Sequence, residues 1–502
     1  MTKTDILIVG TGIAGLSLAI KIAKKRPDLN ITIMTKARAQ ATSTQFAQGG
    51  IAVVIDKLND SFDRHIADTL KAGGEACDPE IVQMVVRQAP ERLRELIELG
   101  VMFDTGADGF HLALEGGHSR PRVLHHRDMT GSEIENALLV AVNALSNISL
   151  LENHFVIDLL VDADDRNRCV GAFYFDDKGL VKYIRAKATF LCTGGSGQIF
   201  GNTTNPEVAT GDGIAIATRA GAEIRDMNFV QYHPTAMYEP GKNPCFLLSE
   251  ALRGFGAHIV NHDCKRFLFK YDLRGELATR DVISRAISEE LAKTGKKHVY
   301  LDCRHLDPAE LQENFTHIVQ TLKSKGIDAT KQLIPIVPVA HYQCGGIATN
   351  KYGQTSVNGL FAIGECASTG LHGSNRLASN SLLEAAVFAH QAAAKILGMI
   401  DSISHSRKIY INKSIPGPVV KEAQQIVDIR SSLRIVMETF RAGGLLERAE
   451  DELDMLMELA GMMYTSGDMS PFMIETLNML EVAKLVIEHS KSNNLIFNTQ
   501  TK

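Results

Sequence analysis

One turn near the start of the chain constrains its fold more than any other feature. Residues 5–9 read as a short apolar strand, and Gly10-Thr11-Gly12-Ile13-Ala14-Gly15 follows at once, ahead of an apolar-periodic helix to about residue 24. Strand, G-x-G-x-x-G, helix is the order in which this motif carries physical meaning. Gly10 allows the tight turn, Gly12 lets backbone approach a pyrophosphate, and Gly15 lets helix and strand pack closely. The free N–H groups and partial positive charge of the helix N-terminus then face the phosphates. Residues 30–34 supply a second strand at the distance a βαβ dinucleotide unit needs. An acidic residue ordinarily ends that strand and holds a ribose. Thr35-Lys36 stands there instead, so the usual NAD pattern is not met, and a lysine suits a phosphate-bearing or differently held adenosine.

Two later segments favour a flavin. Residues 188–192 form an apolar strand ending in Thr193-Gly194-Gly195-Ser196-Gly197, and residues 358–363 form another ending in Gly364-Glu365, about 350 residues beyond the first motif. That separation is expected of flavoproteins whose FAD domain is discontinuous in sequence. Ser379-Asn380-Ser381-Leu382-Leu383-Glu384 then opens an Ala-rich helix, whose N-terminus suits negative charge on a reduced flavin ring. Between 231 and 341 the strand-and-glycine pattern lapses, which marks an inserted capping domain.

From about Pro418 the apolar residues Ile426, Val427, Leu433, Val436 and Met437, then Leu453, Leu456 and Leu459, then Leu477, Leu480 and Leu485 keep helical spacing. Gly443-Gly444 and Ser466-Gly467-Asp468 break the series. Three amphipathic helices fit, with methionines as core filling. The expected fold is α/β: a Rossmann-like FAD-binding domain (1–230 and 342–415), an inserted α+β capping domain (231–341) and a C-terminal helical bundle (416–502).

Composition narrows the classes of partner. At 502 residues, two or three domains are expected. A net charge of −5 is too balanced to favour nucleic acid or a membrane surface, and no apolar run approaches the roughly 18 residues a bilayer span needs. The eight cysteines include no CxxC, so no iron–sulfur or zinc site, and no other metal site, is expected. Unpaired cysteines in a large chain point to a reducing compartment. Lys3 ahead of the apolar stretch 6–20 imitates a signal peptide, but Asp5 and three ordered glycines favour a first strand in a cytoplasmic protein.

Several further segments carry a family resemblance. They are the loop Ser43-Thr44-Gln45-Phe46-Ala47-Gln48-Gly49-Gly50-Ile51-Ala52, His233-Pro234-Thr235, Glu250-Ala251-Leu252-Arg253-Gly254, Arg280-Asp281, His341-Tyr342-Gln343-Cys344-Gly345-Gly346 and the run from Asn375 to Leu382. In this order they resemble the succinate dehydrogenase/fumarate reductase flavoprotein family, over nearly the whole chain to about residue 415. The resemblance implies FAD contacts at Gly10, Thr11, Gly12, Ile13, Ala14, Gly15, Lys36, the loop Ser43, Thr44, Gln45, Phe46, Ala47, Gln48, Gly49 and Gly50, and at Asp212, Glu365, Ser381 and Leu382. It implies that Arg376, His233, His341 and Ser249, with Gln231 nearby, hold a dicarboxylate, and that Arg280 transfers the proton. Free guanidinium is a poor base, so a buried neighbour such as Glu250 is the expected relay.

Two departures narrow the implied reaction. Respiratory members attach FAD covalently to a histidine six residues before the first glycine of the loop; here that position is Ser43, so FAD is expected to be non-covalent. Glu115, in Glu115-Gly116-Gly117-His118-Ser119, is a carboxylate those members lack, and a substrate ammonium needs an anionic partner. The resemblance so narrowed implies oxidation of L-aspartate to iminoaspartate, with flavin reoxidised by oxygen or fumarate and the product passed to quinolinate synthase in NAD biosynthesis. The alternatives are a soluble fumarate reductase or succinate dehydrogenase-type flavoprotein, and a non-catalytic FAD protein. The C-terminal segment departs from the family: it has Met437-Glu438 where a Met-Trp is expected, and the chain has no tryptophan.

Overall fold

In the computed structural model, residues 2–106, 109–406, 408–410, 424–465 and 470–492 are described. The centre is a five-stranded parallel sheet in the order Leu360–Ala362, Ala188–Leu191, Ile6–Val9, Ile31–Met34, Ile148–Leu151. Its three middle strands are buried along their whole length, which is why they read as unbroken apolar runs rather than alternating ones. The last strand in sequence thus lies against Ala188–Leu191, and the domain closes only when the chain returns from its insertion. At the first turn Gly10 has φ +112°, and a side chain there would put Cβ 2.1 Å from the Cys192 carbonyl oxygen. The helix Ile13–Lys25 packs between the helices Asn380–Leu397 and Thr130–Asn143.

An antiparallel sheet containing Phe155–Asp162, Cys169–Phe175 and Val181–Arg185 covers one side. The insertion forms a four-stranded antiparallel sheet, Val230–Met237, Ile334–Gln343, Val299–Asp302 and His258–Val260. It has its own core, including Leu252, Phe267, Ile283, Leu301 and Ile336. Asp128, outside the insertion, accepts hydrogen bonds from the backbone N–H of His317 (3.3 Å) and Ile318 (2.7 Å) at the start of the helix Thr316–Ser324, so it clasps the insertion to the rest.

Three C-terminal helices, Gln424–Arg441, Leu446–Thr465 and Pro471–Ser492, follow. The boundary expected near Pro418 and the break at Ser466-Gly467-Asp468 lie outside the described residues. The helices do not close a core of their own: Ile426, Leu433, Met437, Leu453, Met479 and Leu480 share one apolar cluster with Leu7, Val9, Met34, Ile214 and Leu360. The apolar spacing overcounts their buried face, since Val427 and Leu459 are exposed. The methionines divide likewise: Met437, Met473 and Met479 are fully buried, whereas Met455 and Met462 face solvent. Among the described residues no helix is long and apolar enough to cross a membrane, and no group of side chains is arranged to hold a metal ion.

Candidate active site

A cleft of about 1050 Å³ runs from the glycine turn, along the loop 43–50, to the junction with the insertion. Nearly all the residues singled out from the sequence line it: Gly10 to Ala14, Lys36, Ser43 to Gly50, Glu115, Asp212, His233, Ser249, Arg280, His341, Glu365, Arg376, Ser381 and Leu382. Two do not. Gly15 lies beneath the turn, where a Cβ would meet the Gly10 carbonyl oxygen at 2.3 Å. Gln231, expected at the substrate, sits behind two arginines: its Oε1 accepts from Arg280 Nη1 (2.9 Å) and Arg376 Nη2 (3.1 Å), and its Nε2 donates to Asn375 Oδ1 (2.8 Å) and the Arg376 carbonyl (2.6 Å). With both ends of its amide engaged, Gln231 fixes the guanidiniums.

The far end of the cleft is densely charged and buried. Arg280 opens the helix Arg280–Thr294, and its Nε donates to Glu250 Oε2 at 2.6 Å. On its other side Glu250 Oε1 lies 3.3 Å from Arg253 Nη2. Burial alone drives the Glu250 carboxyl upward, but Arg253 and Arg280 outweigh it and hold the group below its ordinary range. The glycine at 116 is required by this carboxylate, since a Cβ there would be 2.2 Å from Glu250 Oε1. Arg376 donates from Nη1 to Ser381 Oγ (2.9 Å) and rests over the Tyr342 ring, 4.3 Å from its centre. Tyr342 in turn donates to the buried Glu384 at 3.0 Å. Burial, with Arg280 nearby, lowers Arg376 to about 10.

Both histidines are kept neutral. Burial first, then Arg280, depresses His233 and His341 well below the ordinary imidazole range. The Thr235 backbone N–H donates to His233 Nδ1 (3.3 Å), which leaves His233 Nε2 as the N–H donor. His341 Nδ1 pairs with Thr204 Oγ1 at 2.7 Å, and the two rings lie 5.0 Å apart between centres. Ser249 caps the helix Glu250–Gly254 by accepting from the Ala251 N–H at 3.2 Å, so its own hydroxyl proton is spare.

Glu115 is buried, and its Oε2 accepts from Ser379 Oγ at 2.6 Å. Burial, then the Glu250 charge, raises its carboxyl above the ordinary range. Ser379 also receives the Gly50 N–H (3.2 Å), and it has φ +58°, a strained conformation for a residue with a side chain. It joins the loop, Glu115 and the start of the helix Asn380–Leu397. Sequence reasoning passed over Ser379, Thr204 and Tyr342, although Ser379 and Tyr342 stand inside quoted motifs.

From the glycine turn to the loop that reaches Glu115, the lining suits a dinucleotide. The glycine turn exposes backbone to the cleft, Gln45 Oε1 and Gln48 Oε1 along the loop are buried with no protein partner, and Glu365, raised by burial to about 7, accepts from the Gln343 N–H (3.1 Å). Behind the loop, Glu135 accepts from Thr42 Oγ1. Burial raises the Glu135 carboxyl to about 8, whereas an unfolded glutamate titrates near ~4.3. The native state keeps the proton, so this group's stabilisation is complete in acid and is lost as pH rises through its folded value. Glu135→Gln should therefore raise Tm by roughly 2–5 °C near pH 9, fading by about pH 5. Thermal melts at the two pH values check this, and equal shifts at both would refute it.

The match to known proteins follows this geometry. Residues 5–382 match the FAD binding domain family, so the chain is an FAD-binding flavoprotein. L-aspartate oxidase 1 of Ralstonia nicotianae is 41% identical over 98% of this chain and 93% of its own. L-aspartate oxidase 2-b of Nicotiana tabacum, a chloroplastic protein, is 46% identical over 80% of this chain, which spans only 63% of it. A solved quinol fumarate reductase chain of E. coli superposes with TM-score 0.87 at 30% identity, covering 97% of this chain and 89% of that one. The chain belongs to the L-aspartate oxidase family, FAD-dependent enzymes that act on a small molecule.

Proposed function

We propose that this chain oxidises L-aspartate to iminoaspartate, the first step of NAD biosynthesis through quinolinate, with oxygen or fumarate taking the electrons. The observation that carries the reading is Glu115, a buried carboxylate facing the same cleft as Arg280 and Arg376. Three buried guanidiniums (Arg253, Arg280, Arg376) and the buried carboxylates Glu115 and Glu250 are gathered at this end of the site. L-aspartate carries one net negative charge and an ammonium for Glu115; succinate carries two negative charges and has no such group. A fumarate reductase-type substrate would leave Glu115 desolvated beside like charge.

In this reading Arg376, with the Nε2–H of His233, the His341 ring and the Ser249 hydroxyl, holds the carboxylates. Bidentate guanidinium and neutral N–H donors suit that task. Gln231 contributes indirectly, by fixing both arginines. Bound FAD supplies the two-electron acceptor. Arg280 holds and moves the proton, with Glu250 as the partner that exchanges it, since Glu250 is kept ionised. The glycine turn, the loop 43–50, Glu365, Ser381 and Leu382 hold the cofactor, within the domain limits 1–230 with 342–415, 231–341 and 416–502. The enzyme is cytoplasmic, and its product passes to quinolinate synthase.

Anaerobic bleaching of the flavin by L-aspartate tests the substrate: bleaching by succinate but not by L-aspartate would overturn it. FAD is held non-covalently, because Ser43 lines the cleft where the attachment histidine would stand. Acid precipitation should release all the yellow colour into the supernatant, and colour retained in the pellet would refute that.

A further inference from the structure

Lys36 ends the segment after the strand Ile31–Met34 and lines the cleft beside the glycine turn. The position suits an adenosine, but the ammonium is not available for a phosphate. Its three protons go to Thr210 Oγ1 (2.7 Å), Asp212 Oδ2 (2.7 Å) and Glu475 Oε1. Glu475 comes from the helix Pro471–Ser492, 439 residues along the chain. Its other oxygen accepts from Arg430 Nη2 at 3.1 Å. Asn478, one turn further on, donates to Asp212 Oδ1 at 2.7 Å.

The same helix closes on the turn that carries Asp212. Gly211 has φ +78°, and a Cβ there would lie 2.9 Å from Val482 Cγ2. Lys36 and Asp212 are thus held from behind by one helix, through charge, amide and packing contacts. Burial works against the Lys36 charge, and Asp212 and Glu475 more than offset it. Without Glu475, the buried ammonium keeps only Thr210 and one carboxylate, Asp212, and loses its tie to the C-terminal helix.

We infer that Glu475 and Asn478 are positioning residues for the adenosine end of the cofactor site, acting through Lys36 and Asp212, so that the C-terminal helix helps to retain FAD. The inference rests on the placement of FAD proposed above. It gives the C-terminal helices a function that their divergence from the family pattern does not reveal.

The test is FAD affinity of the apoprotein, read by quenching of flavin fluorescence, with the apo Tm measured alongside. Glu475→Gln should raise the FAD Kd about tenfold or more. Val486→Ala is the control: it trims a fully buried apolar side chain of the same helix that does not line the cleft. It should leave the Kd within about twofold while lowering Tm comparably. Equal losses of affinity in the two variants would mean that helix docking alone matters, and the inference falls. Asn478→Ala, a milder change should E475Q fail to accumulate, should raise Kd about threefold or more; an unchanged value overturns the proposal. Asp212→Asn separates the premises. If it weakens FAD while E475Q does not, only the present inference fails; if it too binds FAD normally, the adenosine end has been misplaced.

Discussion

Replacing Arg280 with leucine should leave a yellow, folded protein that has lost about 100-fold or more of both L-aspartate oxidation and fumarate reduction. The guanidinium occupies a junction: Nε on Glu250 and Nη1 on Gln231, with Arg376 on the far side of the same amide oxygen. Leucine removes the group that moves the proton and leaves Glu250 with Arg253 alone. The glycine turn and loop 43–50 make no hydrogen bond to Arg280 among the described residues, so flavin content should be unchanged, and the bound absorbance serves as the folding control. Because one residue handles the proton in both directions, the two activities should fall together. A loss under tenfold in both would remove Arg280 from the proton transfer.

The second large effect is selective. Glu115→Gln keeps the shape and the Ser379 contact but removes the charge proposed to meet the substrate ammonium. A hydrogen bond between charged groups is worth about 1.5–3 kcal/mol, so kcat/KM for L-aspartate should fall roughly 10- to 100-fold. Fumarate has no ammonium, and its reduction should fall little or rise as negative charge leaves the cleft. The wild type adds a pH signature. Burial and Glu250 hold the Glu115 carboxyl above its ordinary range, and only the ionised form pairs with ammonium. Wild-type kcat/KM for L-aspartate should therefore climb with pH as that proton leaves, and the climb should vanish in E115Q. Equal losses for the two substrates, with no change in the pH profile, would make Glu115 a structural residue.

What could be read from the sequence was local, and what could not was paired across distance. The glycine turn, the strand before it and the helix after it are set by neighbouring residues, so they stand where their spacing put them. The wall of the cleft was legible because each motif carries its own turn or cap. The partners of Gln231 were hidden because nothing in its neighbourhood tells that its amide would be filled by Arg280, Asn375 and Arg376, the first 49 and the last 145 residues away. Lys36 could be read only as suiting a phosphate-bearing or differently held adenosine for the same reason, since Glu475 is invisible from its segment. Apolar spacing identified the C-terminal helices but not which stripe would be covered. Val427 and Leu459 keep the period yet face solvent, because the three helices cover other stripes by packing on one another and on the parallel-sheet domain.

The strand order also sets a timetable. The strand Ala188–Leu191 is flanked by Ile6–Val9 and by Leu360–Ala362, and Phe190 stacks on Phe361 with ring centres 4.4 Å apart. During synthesis, Phe190 emerges long before its partner, and the whole insertion is made in the interval. At roughly 5–20 residues per second, about 10–35 s separate the two strands. Over that time the nascent sheet has a bare apolar edge, and the cleft lacks Glu365, Arg376 and the helix at Asn380. The complete lining of the flavin cleft exists only once the chain has been made as far as Ala385, about three quarters of its length.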